Sequence, residues 1–424
     1  MKSKVNKILK KQISLIKSSE QEKEKIDLIC NRTVKTLKEN IKKQKLKAEV
    51  FVGGSLAKGT LVRKDIYDID IFVRFDKSYN NKKISELLGR LLKKTTPRNN
   101  IRKIHGSRDY YQFVKENILI EIIPVLKIKK PAEAVNVTDL SYFHVNYIVK
   151  KILKNNNLIN EIRLAKTFAY AQNCYGAESY INGFSGYALE LLICHYKTFL
   201  NFMKAIVDLD LKNKLIIDDE KFYKDKNILS ELNKSKIQSV IILIDPTFKE
   251  RNAVSSLSNE TLYKLQKVCK NFLKNPSSKF FIRKQFSENF KNKDVKIITV
   301  KTSKQTGDVA GTKSKKFFNF LIFKLKKEFK IRKYSFDYNE NKNLAFFYLV
   351  LSKKKLSIVR GPPVVYVHSL TNFKKVHPKA FIKNGFAYVK LNHNLTFNQW
   401  FKQFLKKDKK VIREMGISMV KLQN

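Results

Sequence analysis

The chain has 424 residues, of which 43% are hydrophobic, which is enough for about three domains with their own cores. Its 87 Lys and Arg residues outnumber its 37 Asp and Glu residues, so the net charge is +50. This composition excludes a wholly disordered chain, and the lack of a long uncharged apolar run excludes a membrane-spanning helix. The N-terminal residues lack a signal-peptide pattern, and the four cysteines show neither zinc-ligand nor disulfide spacing. We therefore expect a cytoplasmic protein without a membrane partner.

The excess of positive charge favours a polyanionic partner, and nucleic acid is the natural candidate. A second explanation stays open at this point. Most of the basic residues are lysines, and the chain is also rich in Ile, Asn and Phe. A genome of low GC content produces that mixture without selection for binding.

The first part of the chain alternates between helical and strand patterns. A strand of period two that carries acids lies in its middle, and Pro124 is expected to end the last strand. The pattern predicts an α+β domain with a small mixed sheet. In chain order, the elements are a helical region over Val5–Lys45, strands over Ala48–Val52 and Tyr67–Phe75, a helix over Ile84–Leu92 and a strand over Asn117–Val125.

The remainder is first helical and then mixed. Asn384-Gly385 between two apolar runs predicts a hairpin, and the β-α-β-β order of the last third suggests a split βαβ domain. The predicted helices are Ile159–Ala171, Gly186–Val207, Asn259–Leu273 and Lys315–Lys330, and the predicted strands are Val295–Val300, Tyr334–Tyr338, Leu344–Leu351 and one that begins near Ile241.

Two acids two residues apart, Asp68 and Asp70, lie on the second predicted strand. Residues at this spacing point to the same face, so the two carboxylates repel each other unless a cation lies between them. Oxygen ligands of this kind suit Mg²⁺ together with phosphate oxygens. The structural alternative is a solvated strand end.

A Gly-Gly-Ser turn just before these acids is suited to phosphate. Gly53 and Gly54 allow the backbone to approach a ligand closely, and Ser55 offers a hydroxyl at the start of a helix. Lys58 can reach the same anion. We therefore assign Gly54, Ser55 and Lys58 to nucleotide binding, with the acids holding two metal ions in the arrangement used for nucleotidyl transfer.

A third carboxylate is expected to complete such a metal site. Glu121 is the only acid in the apolar strand Leu119–Ile123, where an unpartnered acid would be costly. We assign it to the metal with Asp68 and Asp70. An exposed acid on an edge strand is the alternative.

These motifs, with several later ones, resemble a known family. GGSLAKGT and DIDIFVRF are similar to the DNA polymerase β-like nucleotidyltransferase superfamily. The order of all the segments resembles the archaeal-type (class I) CCA-adding enzymes, which are tRNA nucleotidyltransferases. The further segments are IEIIPV, EIRLAKTFAYAQNCYGAESYINGFSGYALELLI, LIDPTFKERNAVSSLS and RGPPVVYV.

The resemblance implies four domains. A catalytic nucleotidyltransferase head with a small mixed sheet would span residues 1–150, and a helical neck would span 151–240. A mixed body would span 241–288, with 398–424 as a candidate return to it. A ferredoxin-like (split βαβ) tail at 289–397 would bind tRNA.

The resemblance also implies an activity, namely addition of C, C and A to the 3′ end of tRNA from CTP and ATP, without a nucleic-acid template and with Mg²⁺. It leaves a homodimer open. The alternatives are another template-independent nucleotidyltransferase such as a poly(A) polymerase, a non-catalytic RNA-binding protein on the same fold, and a signalling-nucleotide synthase.

The family pattern places Asp68, Asp70 and Glu121 at the catalytic carboxylates, where Glu121 replaces the usual Asp. Ser55 and Lys58 match triphosphate-contacting positions, although Lys58 stands where Arg is common. The segment His105–Tyr111 departs from the pattern and receives no assignment. The other residues that line up with nucleotide contacts are His144, Lys166, Tyr175 and the base-reading Arg251.

Each of these later residues has a structural alternative. His144 could be a satisfied core histidine, Lys166 could lie on a solvated helix face, and Tyr175 could be a core aromatic residue. The other histidines have no partner at metal-ligand spacing, so we interpret them as structural.

Overall fold

The protein, described here from a computed structural model, forms two compact units within Met1–Lys284 and Gln285–Asn424. Both units combine helices with small sheets, which confirms the predicted α+β class. The division into head, neck, body and tail stays a prediction. The structure describes residues 2–81, 83–93, 101–224, 227–283, 294–340, 342–354 and 356–423.

Two helices, α1 (Lys2–Ile16) and α2 (Glu20–Lys43), precede the first sheet. The predicted helical region divides at Ser19. The Ser19 hydroxyl accepts the Glu22 backbone N–H, and the Glu22 carboxylate accepts the Ser19 backbone N–H. This capping box starts a new helix where the chain turns.

The next elements form a five-stranded sheet, which confirms the predicted mixed sheet and adds two strands to the three that were predicted. They are β1 (Ala48–Val52), α3 (Gly54–Ala57), β2 (Tyr67–Phe75), α4 (Ile84–Lys93), β3 (Arg102–Ile104), β4 (Tyr110–Lys115) and β5 (Ile118–Leu126). The strand order is β1-β2-β5-β4-β3. The β2 and β5 pair is parallel, and the other neighbouring strands are antiparallel.

One face of this sheet is apolar. Ile69, Ile71, Ile120 and Ile122 are fully buried in a core shared with α2 and α4. Because successive strand residues point to opposite faces, the acids between these isoleucines point away from that core.

The prediction that Pro124 ends its strand is wrong. Strand β5 continues to Leu126, and Pro124 lies opposite Val73 in the register with β2. The pairing of β5 with β4 stops at Ile122, so β5 has a free edge at Pro124. Proline is tolerated at such an edge because no ladder bond needs its missing N–H.

A helical region follows, with α5 (Ser141–Lys154), α6 (Leu158–Ala171), α7 (Gly186–Tyr196) and α8 (Phe199–Asp208). The prediction of a single helix over Gly186–Val207 is wrong, because the helix is interrupted at Lys197. This residue has a left-handed φ of 67°, and the Thr198 hydroxyl caps α8 by accepting the Asn201 N–H.

The first unit ends with a small sheet and two further helices. These elements are β6 (Leu215–Ile217), α9 (Ile228–Glu231), β7 (Ile241–Asp245), β8 (Phe248–Asn252) and α10 (Asn259–Lys274). Residues of α1, α6, α7, α8 and α10 share one core, in which Phe168 packs edge-on against Phe199 and Phe272.

The second unit contains the predicted ferredoxin-like arrangement. Its elements are β9 (Val295–Thr302), α11 (Gly307–Glu328), β10 (Phe329–Asn339), β11 (Leu344–Lys353), β12 (Leu356–Pro363), α12 (Val367–Val376), β13 (Phe381–Lys383), β14 (Phe386–Asn392), α13 (Phe397–Lys407), α14 (Lys409–Glu414) and β15 (Ile417–Gln423). The main sheet has the order β10-β11-β9-β15, and each neighbouring pair is antiparallel. A smaller sheet, β12-β14-β13, is inserted between β11 and α13.

The candidate return of residues 398–424 to the body stays a prediction, like the other domain bounds. Strand β15, which lies within this segment, pairs with β9. This pairing covers an edge of β9 that carries the fully buried Ile298 and Val300. The hairpin at Asn384-Gly385 is confirmed, with φ angles of 48° and 75° as a type I′ turn requires.

Among the helices that the structure describes, none is both long and apolar enough to cross a bilayer. The four cysteines are all buried, and each is a free thiol.

Candidate active site

The predicted acids lie on the polar face of the first sheet. In the parallel register of β2 and β5, Asp70 stands directly opposite Glu121, and their carboxyl groups are hydrogen bonded to each other. Gln112 of β4 donates its side-chain amide to Glu121. Asp68 points to the same face from two residues earlier. The sheet thus brings two acids, hereafter the acid pair, into contact and sets the third beside them.

The acid pair resists ionisation. Burial and the Asp68 charge raise the pKa of Asp70, and the Lys58 ammonium offsets part of this effect. Burial and the Asp70 charge raise the pKa of Glu121 to about 8. Two carboxyl groups so close share a proton near neutral pH, and a cation between them would allow both to ionise.

Asp68 has a different partner. Its half-exposed carboxylate accepts a hydrogen bond of 2.5 Å from Lys64. Within the described part of the chain, no three His, Cys, Asp or Glu side chains are arranged around one point as metal ligands. Asp68, Asp70 and Glu121 nevertheless stand on one face of the sheet.

The Gly-Gly-Ser turn packs directly against Asp70. The Gly53 N–H donates to the Asp70 carbonyl oxygen at 2.8 Å. A Cβ atom on Gly54 would lie 1.6 Å from a carboxylate oxygen of Asp70, and Gly54 has a φ of 58°. Only glycine satisfies both conditions. The turn therefore lies against Asp70, and Ser55 is the next residue along the chain.

Two predicted nucleotide-binding lysines meet at one buried acid. Glu190 of α7 accepts hydrogen bonds from Lys58 at 2.6 Å and from Lys166 at 2.7 Å. Thr60 donates to Glu190 at 3.1 Å and accepts from Lys166 at 3.0 Å. Although burial alone would raise the pKa of Glu190, the Lys166 and Lys58 charges lower it to about 2. We call these four residues the Glu190 cluster.

Helix α6 holds the loop that carries Lys58. Arg163 donates to the carbonyl oxygens of Gly59 and Leu61, each at 2.9 Å, and Lys166 projects one turn later from the same helix face. The hydroxyl of Tyr175 and the Lys166 side chain both lie against Gly186. Burial, followed by the Glu190 and Asp68 charges, raises the pKa of Tyr175, so its hydroxyl stays protonated.

The remaining two predicted residues form a second cluster around Asp245, at the end of β7. His144 bonds to Asp245 at 3.0 Å, Arg251 donates to it at 2.6 Å, and the Tyr187 hydroxyl donates at 3.0 Å. The His144 and Tyr187 rings stack with centroids 4.0 Å apart. We call this group the Asp245 cluster. Against the effect of burial, His144 and Arg251 hold the pKa of Asp245 well below its usual range.

Sequence reasoning missed the two acids at the centres of these clusters. A signal for them was present, because Glu190 is the only charged residue in Gly186–Cys194 and Asp245 is the only one in Ile241–Asp245. The same argument identified Glu121. The segment His105–Tyr111, left without assignment, contributes Arg108, which forms a buried bidentate ion pair with Asp139 at 2.5 and 3.2 Å.

Comparison with known proteins defines the class. Residues 33–162 match the nucleotidyltransferase domain family, and residues 160–282 match the second domain of tRNA nucleotidyltransferases. A solved structure of Cid1 poly(U) polymerase superposes with a TM-score of 0.51 at 13% identity, over 66% of this chain and 98% of that one. A cytoplasmic RNA terminal U-transferase reaches 0.50 at 13% identity, over 68% and 100%. The fold is that of a nucleotidyltransferase.

Curated relatives identify the family more closely. The CCA-adding enzyme of Nanoarchaeum equitans is 37% identical over 353 residues, which cover 81% of this chain and 84% of that protein. The CCA-adding enzyme of Methanocaldococcus jannaschii is 29% identical over 92% of this chain and 88% of its own length. The chain therefore belongs to the archaeal-type CCA-adding enzymes, as its motifs indicated.

Proposed function

We propose that this chain adds C, C and A in turn to the 3′ end of tRNA, from CTP and ATP and without a nucleic-acid template. The observation that supports this most directly is the acid pair beside the Glu190 cluster, whose Lys58 charge acts on Asp70. Acids next to fixed cations suit a triphosphate that a metal bridges to the acids. In the reaction, the 3′-hydroxyl oxygen of tRNA bonds to the α-phosphorus, and the bond to pyrophosphate breaks.

We assign Mg²⁺ to Asp68, Asp70 and Glu121, which supply only oxygen ligands. The fit is supported by the acid pair, which shares a proton where a divalent ion would let both groups ionise, and by the Lys64 ammonium already placed at Asp68. When bound, the metal would lower the pKa of the attacking hydroxyl and neutralise charge on the phosphates.

The triphosphate is assigned to Ser55, Lys58, Lys166 and Tyr175. Gly54 lets the turn pack against the Asp70 carboxylate, since a side chain there would collide with it. The two lysines compensate phosphate charge, and the protonated Tyr175 hydroxyl can donate to a phosphate oxygen. Such positioning matters because transfer at phosphorus depends chiefly on alignment and charge.

The base is assigned to the Asp245 cluster. Arg251 offers donors to a base edge, and its ion pair with Asp245 fixes its direction, while His144 is stacked on Tyr187. The tRNA body is assigned to the basic surface of the chain, through phosphates and shape. The cytoplasmic location stays a prediction.

The decisive experiment uses a transcribed tRNA that ends just before its CCA, incubated with CTP, ATP and Mg²⁺, with products resolved at single nucleotides. We expect three additions and then arrest, and no extension of the same tRNA that already ends in CCA. A long run of A would indicate a poly(A) polymerase. Absence of any Mg²⁺-dependent product would indicate a non-catalytic RNA-binding protein.

The tRNA grip has its own test. If phosphate contacts dominate binding, the Kd for tRNA should rise by at least about 10²-fold between 50 and 200 mM salt, because counterion release weakens with added salt. A Kd that stays flat over this range would contradict a phosphate-dominated grip.

A further inference from the structure

We propose that Glu190 is a positioning residue for nucleotide binding, whose buried carboxylate holds the Lys58 and Lys166 ammonium groups in place for the phosphates of CTP or ATP. The inference rests on the proposed function and adds to it a residue outside the nucleotide contacts assigned above. It explains how two separate parts of the chain present their lysines together.

The geometry of Glu190 is that of a bridge. One carboxylate oxygen, Oε2, accepts from Lys58, and the other, Oε1, accepts from Lys166 and from the Thr60 hydroxyl. The Glu190 side chain is 0% exposed and each lysine side chain is 8% exposed. Lys58 belongs to the matched nucleotidyltransferase domain, whereas Lys166 and Glu190 belong to the matched second domain. Glu190 therefore links the two matched domains through ion pairs with Lys58 and Lys166.

The bridge leaves hydrogen-bond donors for a ligand. Each ammonium group has three donors. In the described structure, Lys58 uses one donor on Glu190, and Lys166 uses one on Glu190 and one on Thr60. Two donors of Lys58 and one of Lys166 remain, and a triphosphate supplies the acceptors that would take them.

Without this acid the two cations would oppose each other. Both are buried, and burial lowers the pKa of Lys166 while the Glu190 charge acts in the opposite direction. Removing the carboxylate leaves two like charges in a poorly solvated site, so one lysine must turn away or lose its proton. Either change removes a phosphate ligand.

The fold around the cluster has other support. Arg163 holds the Lys58 loop through two backbone carbonyl oxygens, and α7 is packed in the apolar core by Leu189 and Leu192. We therefore expect Glu190→Gln, which keeps the shape and loses the charge, to fold. A thermal melt of each variant verifies this.

The test measures KM and kcat for CTP and ATP in tRNA extension, together with the Kd for CTP by equilibrium dialysis without tRNA. Glu190→Gln should raise KM and Kd by about tenfold or more, since charge-assisted hydrogen bonds to phosphate are lost, while kcat changes by less than about threefold. Glu161→Gln is the matched control. Glu161 is an acid of the same bundle that accepts the Phe199 N–H at 2.7 Å and touches neither lysine, so its loss should leave KM unchanged.

A second comparison separates positioning from general support. Lys58→Met and Lys166→Met should each raise KM alone, but at least one of them should raise KM little further when added to Glu190→Gln, because one lysine is already displaced. Fully additive effects, or an unchanged KM and Kd in folded Glu190→Gln, would overturn the inference.

Should Glu190→Gln fail to fold, Thr60→Val carries the test. It removes the hydroxyl bonds to Glu190 and Lys166 without leaving an unpaired charge, and should raise KM about threefold. An unchanged KM would then overturn the inference. The proposed function fails separately, if the wild-type chain does not extend tRNA, and CTP dialysis still tests Glu190 in that event.

Discussion

The acid pair and the Glu190 cluster occupy the same unit, yet their carboxyl groups behave in opposite ways. Burial and the Asp70 charge raise the pKa of Glu121 to about 8. Glu190 is more deeply buried, which alone would raise its pKa, but Lys166 and Lys58 lower the pKa to about 2. The pKa values differ because Glu121 faces another acid, Asp70, whereas Glu190 faces two cations.

This difference separates two acids that hold each other protonated from one acid that protein cations keep charged. Asp245 is balanced by the Arg251 charge and is also hydrogen bonded to His144. A balanced acid can position its partners without any ligand, whereas a cation beside the acid pair would allow both of its groups to ionise near neutral pH. Activity should therefore be most sensitive at the acid pair, and stability most sensitive at the balanced acids.

The largest effect is expected at the acid pair itself. Asp70→Asn should reduce CTP incorporation into tRNA by about 10³-fold or more, because a charged group at the reacting phosphate is lost. It should not lower the free energy of unfolding, since it removes a repelling acid. Both quantities can be measured on one preparation, by gel assay and by urea unfolding. Asp76→Asn is the control, because Asp76 lies just past the end of the same strand and should tolerate the change within about twofold. Full activity in Asp70→Asn would remove the metal assignment.

A smaller effect is expected at the Asp245 cluster. Asp245→Asn should raise the KM for CTP and ATP by about tenfold, because Arg251 and His144 lose the acid that directs them. The variant should also unfold at a lower temperature, since the partly buried Arg251 cation loses its ion pair with Asp245. Lys249→Ala, an exposed change on the same strand as Arg251, should alter neither. Equal changes in KM and unfolding temperature in Asp245→Asn and Lys249→Ala would show that the net charge of this region matters and the contacts of Asp245 do not.

The stabilising contributions of Glu121 and Glu190 should change with pH in opposite directions. The pKa of Glu121 is raised in the fold, so its stabilising contribution is complete below its unfolded pKa of about 4.5 and is lost as the pH rises towards 8. The pKa of Glu190 is lowered, so its contribution is complete above about 4.5 and is lost only in acid.

Urea unfolding in metal-free buffer at pH 5 and pH 8 tests this contrast. The difference in unfolding free energy between wild type and Glu121→Gln should fall by about 1 kcal/mol or more over this interval. The difference between wild type and Glu190→Gln should stay constant. If both differences in unfolding free energy fell equally between pH 5 and pH 8, Glu121 and Glu190 would share one electrostatic environment.

The sequence predicts the acid pair well because the evidence for it is local. The period-two pattern of Tyr67–Phe75 places Asp68 and Asp70 on one face, and a lone acid in an apolar strand identifies Glu121. The same rule, applied to the apolar helix around Glu190, would have identified that acid too.

The partners of Glu190 could not be predicted in this way, because they are not local in the sequence. Lys58 and Lys166 lie 132 and 24 residues from Glu190 along the chain, so only the packing of α6 and α7 against the Lys58 loop brings them together. The prediction that Pro124 ends its strand failed because the strand edge there does not pair with β4. The prediction of one helix over Gly186–Val207 failed because the Thr198 cap begins a second helix. Lys64, by contrast, lies only four residues before Asp68, and the chain between them brings its ammonium group to the carboxylate.

The smallest effect is expected at this last pair. Lys64 and Asp68 are 46% and 41% exposed, so Lys64→Met should change the free energy of unfolding by less than about 0.5 kcal/mol. If Lys64 occupies the Asp68 carboxylate in competition with the metal, the variant should need about twofold less Mg²⁺ for half-maximal CTP incorporation, because no ammonium has to be displaced. Lys25→Met controls for the loss of one surface charge, since Lys25 pairs with Glu116 at 3.5 Å and leaves the Asp68 carboxylate untouched. A higher Mg²⁺ requirement in Lys64→Met would mean that the lysine assists metal binding by the acids. The contrast between the acid pair and Glu190 would then not extend to Asp68.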